Sequence, residues 1–387
     1  MNKKKRVIVI GHEASLSGAP ILLLNLFQLV IEKKMAHVQF VIRKGGPLVE
    51  KYINVAPVIV LKPSDYGKEK DLLRKVTNFF QNKLNLLIVL LKAFSCDYIF
   101  CNTVVNGKLL RWLYFFKKPV ITYIHELEGA IDLYIKQGDA VLPLSISRVL
   151  AYPSKTTMHL LGNKYKTPVE KLKRLSYYFP FKEAQYSANL VFKKSQQFRT
   201  QFGIEQNDFV VGAVGTVSDR KGIELFIDVC NKVSSTSALV KFIWIGAFEN
   251  NQQEKELRRL VSENNLERNL IFTGALDYDI YNFSPFDILF LSSKEDTYPL
   301  VVLEAAMMRI PTICFAGSGG IIEFIENDAG WIIDDFSTIE VANKIIELQT
   351  FRNRVRLYGE KAFEKVIGLH CNSDIIIDQY NSIVEAL

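Results

Sequence analysis

Short apolar runs punctuate the first half of the chain at residues 7–10, 38–42, 58–61, 98–101 and 120–124. They are rich in Val, Ile and aromatic residues and too brief for helices, which predicts strands buried on both faces. Between them, stretches such as 21–32 carry apolar residues at helical spacing. Strand alternating with helix predicts a parallel sheet. The pattern restarts after Tyr177-Tyr-Phe-Pro-Phe-Lys182. Strands are expected at 210–215, 240–246, 270–273, 288–291 and 312–315, with helices at 224–233, 254–264, from Leu300 onward, and at 374–387. The reading is an α/β chain of two Rossmann-like domains: residues 1–185, residues 186–370, and a last helix at 371–387 that could return to the first domain.

Composition supports two ordinary folded domains. The chain has 387 residues, 49% hydrophobic and 23% charged. The cysteines Cys96, Cys101, Cys230, Cys314 and Cys371 are odd in number and none has CxxC spacing, so reduced buried thiols are expected rather than a disulfide framework or a thiolate zinc site. Lys3-Lys-Lys-Arg6 precedes an apolar run too short for a signal core, and no run approaches the roughly 20 residues of a membrane span. A cytoplasmic chain is expected. The net charge of +7 divides into +16 over residues 1–190 and −9 over residues 191–387. A basic first half suits an anionic partner, whether nucleic acid, membrane surface or phosphate-bearing substrate. No nucleic-acid motif accompanies it.

Ligands of open α/β sheets bind beyond the carboxyl ends of the strands, and the chemistry-bearing residues fall there. Gly11-His-Glu-Ala-Ser-Leu-Ser-Gly-Ala-Pro20 joins the first strand to the first helix; Gly18 could let backbone approach an anion, or simply serve a turn. His125 follows the strand at 120–124, as a donor to a sugar or phosphate oxygen or as a structural histidine. Val214-Gly-Thr-Val-Ser-Asp-Arg-Lys-Gly222 sets Arg220 and Lys221 between Gly215 and Gly222, either to neutralise a diphosphate or as a solvated pair. Ser292-Ser-Lys-Glu-Asp-Thr-Tyr-Pro299 leads from a strand to a helix whose first turn Pro299 can occupy. Glu304 interrupts the otherwise apolar run 300–308, so its carboxylate needs partners such as ribose hydroxyls or backbone amides. Ala316-Gly-Ser-Gly-Gly320 with Glu323 is a glycine-rich turn, able to present amides to phosphate or merely flexible.

In this order the motifs resemble glycosyltransferase family four, the large retaining family with the GT-B fold, over nearly the whole chain. The most specific part is Asp296 and Glu304, eight residues apart, with Ala305 after the second acid and Pro311 seven residues beyond it. The resemblance implies parallel sheets facing an interdomain cleft, an acceptor-binding first domain and a donor-binding second domain. It implies that Asp296 binds donor-sugar hydroxyls, Glu304 holds the nucleotide ribose, Lys221 neutralises the diphosphate and Gly18 lies beside the phosphates. It further implies that His125 contacts the transferred sugar and that Gly319, Gly320 and Glu323 surround the donor. Two departures stand out. Asp296 replaces the usual glutamate, and Thr216 stands where the pattern has arginine, which Arg220 could replace.

The implied activity is retaining, metal-independent transfer of a hexose-type sugar from a UDP- or GDP-linked donor to a glycan or lipid-linked acceptor, in surface polysaccharide or glycoconjugate synthesis, with no cofactor. No metal-ligand cluster appears in the sequence. A GT-B nucleotide-sugar epimerase and a non-catalytic nucleotide-sugar or membrane-binding subunit are the alternatives. Apolar Leu73, Val76, Phe79, Phe80, Leu84 and Leu87, with Lys75, Lys83 and Lys92 among them, and Arg111-Trp-Leu-Tyr-Phe-Phe-Lys-Lys118, predict a basic amphipathic face that docks on an anionic membrane, or else a helix packed on the first sheet.

Overall fold

The computed structural model describes residues 4–63 and 72–387, without the side chains of residues 72–76 and 79. The expectations on Leu73, Lys75, Val76 and Phe79 therefore lie outside the described residues. The chain divides into two compact units, Met1–Pro180 with His370–Leu387, and Phe181–Leu369.

The first unit holds seven parallel strands: β1 (Lys5–Glu13), β2 (Ala36–Lys44), β3 (Val58–Lys62), β4 (Tyr98–Asn102), β5 (Val120–Tyr123), β6 (Val149–Tyr152) and β7 (Leu172–Arg174). Their order is β3-β2-β1-β4-β5-β6-β7. The second unit holds six: β8 (Phe209–Val214), β9 (Val240–Ile245), β10 (Leu270–Gly274), β11 (Ile288–Leu291), β12 (Thr312–Phe315) and β13 (Gly330–Ile333), in the order β10-β9-β8-β11-β12-β13. Each sheet reverses direction of progression beside its first strand, at β1/β4 and at β8/β11. That reversal is where an open α/β sheet offers a ligand crevice. All five strands expected in each half form. The expected set lacks β6, β7 and β13, all short and toward one edge of their sheets.

The strands are continuous apolar runs because helices cover both faces. In the first unit Phe27, from the helix Gly18–Glu32, meets Phe40, Phe100 and Tyr380 edge-on at centroid separations of 6.1, 5.0 and 6.0 Å. Tyr380 belongs to the helix Ser373–Glu385, and its hydroxyl pairs with that of Tyr98 inside the core. In the second unit Phe226 packs on Phe242, Trp244 and Phe290 at 5.4, 5.1 and 5.9 Å. Burying each such ring stabilises the fold by roughly 1.5–3 kcal/mol. All five thiols are free, and four are buried. Among the described residues no helix is long and apolar enough to cross a membrane.

Candidate active site

In the second unit, the loops after β8, β11 and β12 are sewn to one another. Gly222 has φ +70°, and a Cβ there would lie 2.0 Å from the Ser292 carbonyl oxygen, so only glycine admits this approach. The Ser292 hydroxyl donates to the Lys221 carbonyl at 2.9 Å, and the Lys294 amide donates to the Arg220 carbonyl at 2.9 Å. Gly319 has φ +116°, and the Asp296 amide donates to Ser318 at 2.9 Å while the Gly320 amide donates to Thr297 at 3.0 Å. A Cβ on Gly319 would sit 1.8 Å from the Asp296 carbonyl oxygen. The Gly320 amide thus holds the turn together. Gly215, φ +139°, receives the Trp244 indole on its carbonyl at 2.8 Å and lies against the Lys221 stem.

These loops bring Lys221, Arg220 and Asp296 together. Lys221 Nζ is 2.5 Å from Asp296 Oδ2, and both side chains are about 15% exposed. Arg220 Nη1 lies 3.6 Å from the same oxygen and donates to the Glu295 carbonyl at 2.9 Å; its side chain is 57% exposed. Thr216 is exposed in the same loop. Glu323 is half-buried in the short helix Ile322–Ile325, its amide bonded to the Gly320 carbonyl at 3.3 Å.

Glu304 is buried in the helix Leu300–Met307, and burial raises its carboxyl pKa to about 7. The Tyr278 hydroxyl bonds to it. Pro299 precedes this helix as its N-cap, one residue earlier than expected. Tyr278 lies within an Asp-x-Asp triplet, Asp277-Tyr278-Asp279, where no such motif was expected. Asp279 caps the following turn, accepting the Tyr281 amide at 3.0 Å, and pairs with Lys194 at 3.7 Å.

In the first unit, Gly18 is the first residue of its helix and is not among the glycines with left-handed φ. His125, just past β5, is half-buried, and both ring nitrogens have partners. Nε2 lies 2.7 Å from Asn102 Oδ1 and Nδ1 lies 3.2 Å from the Tyr177 hydroxyl. Since Asn102 Oδ1 can only accept, Nε2 carries the proton and Nδ1 accepts from Tyr177. Burial, with the nearby His12 adding to it, lowers the imidazole pKa to about 3, so the ring is neutral. Glu126 accepts the amides of His125 at 2.9 Å and Val104 at 3.2 Å, and burial raises its pKa to about 7. Asn102, Tyr177 and Tyr278 were not singled out from the sequence, and Glu126 stood beside His125 in the Tyr123-Ile-His-Glu126 motif without a role. Asn102, at the end of β4, and Glu126, just past β5, carried the strand-end signal that pointed to His125.

Residues 194–365 match the family model described as glycosyl transferases group 1. The chain is 26% identical over 172 residues to the poly(ribitol-phosphate) alpha-N-acetylglucosaminyltransferase of Staphylococcus aureus (strain COL), covering 44% of this chain and 34% of that protein. It is 33% identical over 118 residues to the processive diacylglycerol alpha-glucosyltransferase of Acholeplasma laidlawii, covering 30% and 34%. The matches thus span about a third of the length of these curated relatives. Anabaena Alr3699/HepE, solved in complex with UDP and glucose, shares the fold at TM-score 0.77 and 18% identity, over 99% of this chain and 100% of that one. The whole-chain likeness shows the two-domain GT-B fold, and the group 1 match over residues 194–365 and the curated glycosyltransferase relatives make the chain similar to family-four-like glycosyltransferases.

Proposed function

We propose that the chain transfers a hexose-type sugar from a nucleoside-diphosphate sugar to a glycan or lipid-linked acceptor, with retention and without a metal ion. The observation that carries this reading is the Lys221–Asp296–Arg220 group at the carboxyl ends of β8 and β11, held by loops that close only through glycine. Two cations supply the charge that a leaving diphosphate needs, and a carboxylate beside them can take sugar hydroxyls. Glu304, buried and bonded only to a tyrosine hydroxyl, is suited to accept ribose hydroxyls. The names of the relatives, one for a poly(ribitol phosphate) and one for diacylglycerol, support a glycan or lipid acceptor, and the HepE complex supports a UDP-linked donor.

On this reading residues 186–370 bind the donor and residues 1–185 the acceptor, with 371–387 serving the first domain. The acceptor hydroxyl oxygen attacks the anomeric carbon on the face that the diphosphate leaves. The carbon–oxygen bond to the diphosphate breaks, and the departing phosphate oxygen takes the acceptor's proton. Lys221 and Arg220 stabilise that oxygen, and the protein's contribution is position and charge. The neutral His125 gives its Nε2 hydrogen bond to the transferred sugar by releasing Asn102.

We also assign the first unit to the cytoplasmic face of an anionic membrane. On the helix Leu72–Ser95, Phe80, Leu84, Leu87, Leu91 and Phe94 form an exposed apolar stripe, while Val89 and Ala93 face the core. Trp112, Tyr114 and Phe115 are also exposed, and Phe115, Lys117, Lys118, Arg148 and Lys171 surround one cavity of about 760 Å³. Apolar side chains among cations suit a headgroup layer.

A thermal-shift screen of nucleoside diphosphates and nucleotide sugars, followed by mass analysis of products formed with the stabilising donor, tests the activity. Stabilisation by a nucleotide sugar with a glycosylated product is expected. An epimerised donor with no transfer to any acceptor would sink it.

A further inference from the structure

A second cavity, of about 500 Å³, opens in the first unit where β1, β2 and β3 end. His12, Arg43, Lys44, Lys62 and Asp139 are among its wall residues. Three of these five are cations, and they come from the last residues of neighbouring strands: the β1–β2 register pairs Glu13 with Lys44, and the β2–β3 register pairs Lys44 with Lys62. Asp139 is tied to Lys108 outside the wall, its Oδ2 lying 3.2 Å from Lys108 Nζ.

Arg43 is the least exposed of the three cations. It is half-buried, and its bonds run from Nη1 alone, to the Val105 carbonyl and to Asn106 Oδ1. Both acceptors are neutral, and Arg43 makes no ion pair with any described residue. A guanidinium withdrawn from water without a counter-charge is costly, and an anionic ligand removes that cost. The wall shows a further deficit. His12 Nδ1 is a buried polar atom without a partner, one of six such side-chain atoms among the described residues. Native folds leave few such atoms, and His12 in its Nδ1-protonated tautomer could donate from this one to an anion.

The cavity adjoins the His125 cluster. The turn Val104–Asn106 gives its Val105 carbonyl to Arg43 and its Val104 amide to Glu126, the neighbour of His125. His12 is close enough for its charge to act on the His125 ring.

We propose that this cavity binds an anionic group, phosphate or carboxylate, on the hydroxyl-bearing acceptor, with Arg43 and Lys44 as its counter-ions. The inference rests on the glycosyltransferase reading for the word acceptor, but the anion site itself does not. On this account the chain takes acceptors whose reactive hydroxyl lies near a negative charge and discriminates against neutral polyols.

Calorimetry on the full chain decides it, with glycerol 3-phosphate, L-malate and glycerol as probes. At least one of the two anions is expected to bind measurably better than glycerol, and which one does so identifies phosphate or carboxylate as the group. Arg43→Gln keeps a donor for the Val105 carbonyl but loses the charge, and should weaken the anion by roughly tenfold or more. Lys44→Glu, at an exposed position remote from the core, is the second variant should Arg43→Gln fail to fold, and should abolish anion binding. The proposal is overturned if neither anion binds better than glycerol, or if Lys44→Glu binds the anion as the wild type does. UDP titrated into the wild-type protein separates the two readings. UDP binding without anion binding ends the inference alone, whereas anion binding without binding of any nucleotide or nucleotide sugar ends the donor reading and leaves the cavity's assignment standing.

Discussion

The Tyr278 hydroxyl donates to Glu304 Oε1 at 2.8 Å, giving a buried carboxyl its hydrogen bond from within its own unit. On the proposed reading, a ribose hydroxyl would compete with Tyr278 for this carboxyl. Tyr278→Phe leaves the acid without that donor and is expected to cost about 1–3 kcal/mol in chemical denaturation. A bound nucleoside diphosphate should then stabilise the variant more than the wild type, because ribose supplies the missing donor. Equal ligand-induced shifts in both proteins would count against ribose binding at Glu304.

Glu304 also makes stability depend on pH. Burial raises its pKa from 4.5 to about 7, so the folded state holds this proton more tightly than the unfolded chain. Stability is lost as pH rises from about 4.5 to about 7, and the penalty is complete above that. Glu304→Gln removes it. The variant is expected to be more stable than wild type by on the order of 1–3 kcal/mol at pH about 8, and nearly equal to it below pH about 4.5. Denaturation at both pH values checks the sign. The same variant should lose most of its transfer activity.

Arg220→Ala combined with Lys221→Ala should weaken nucleoside-diphosphate binding by roughly tenfold or more, since each charged hydrogen bond contributes about 1.5–3 kcal/mol. Asp296→Asn should behave differently. It releases Lys221 from its ion pair, so nucleotide affinity holds or rises while transfer falls. Calorimetry and turnover on the same samples separate the two effects, and near wild-type turnover in Asp296→Asn would remove that residue from the mechanism.

Transfer is expected to proceed unchanged in EDTA, because Arg220 and Lys221 carry the charge that a metal would otherwise supply. Of the Asp277-Tyr278-Asp279 triplet, Asp279 serves a turn cap and an ion pair. Activity lost in EDTA and restored by manganese or magnesium would refute the assignment.

The wild-type chain should co-sediment with anionic vesicles at low salt, and less so as salt rises. Replacing Lys83, Lys117 and Lys118 by glutamate should leave it in the supernatant. Wild-type protein that stays in the supernatant throughout points to a water-soluble acceptor.

Much of this was legible in the chain. The strands of both sheet centres are apolar on both faces, and the spacing of Asp296 and Glu304 sets one acid in the loop before a helix and the other inside it. The missed strands are short. Leu172–Arg174 has three residues, two of them charged, and Gly330–Ile333 opens on glycine, so neither carries the apolar run that marks a central strand. The missed site residues are missed for another reason. Asn102 reaches His125 across 23 positions, Tyr177 across 52, and Tyr278 reaches Glu304 across 26. Such partners are set by how strands are ordered in the sheet, which local periodicity does not encode. Gly18 and Gly320 are a different case. Each was open to a ligand or a purely structural reading, and the structure places Gly18 at a helix start and the Gly320 amide within a turn.

Tyr380 packs on Phe27 and bonds to Tyr98, although residues 181–369 lie between these parts of the first unit. On the ribosome this imposes an order of events. The second unit is complete and able to fold while the first still lacks the helix that closes it. At about 5–20 residues per second, the rings of Phe27 and Tyr98 wait some tens of seconds for that cover. A chain truncated before residue 370 would carry an intact second unit beside a first unit with an uncovered aromatic face, the kind of surface that chaperones and proteases recognise.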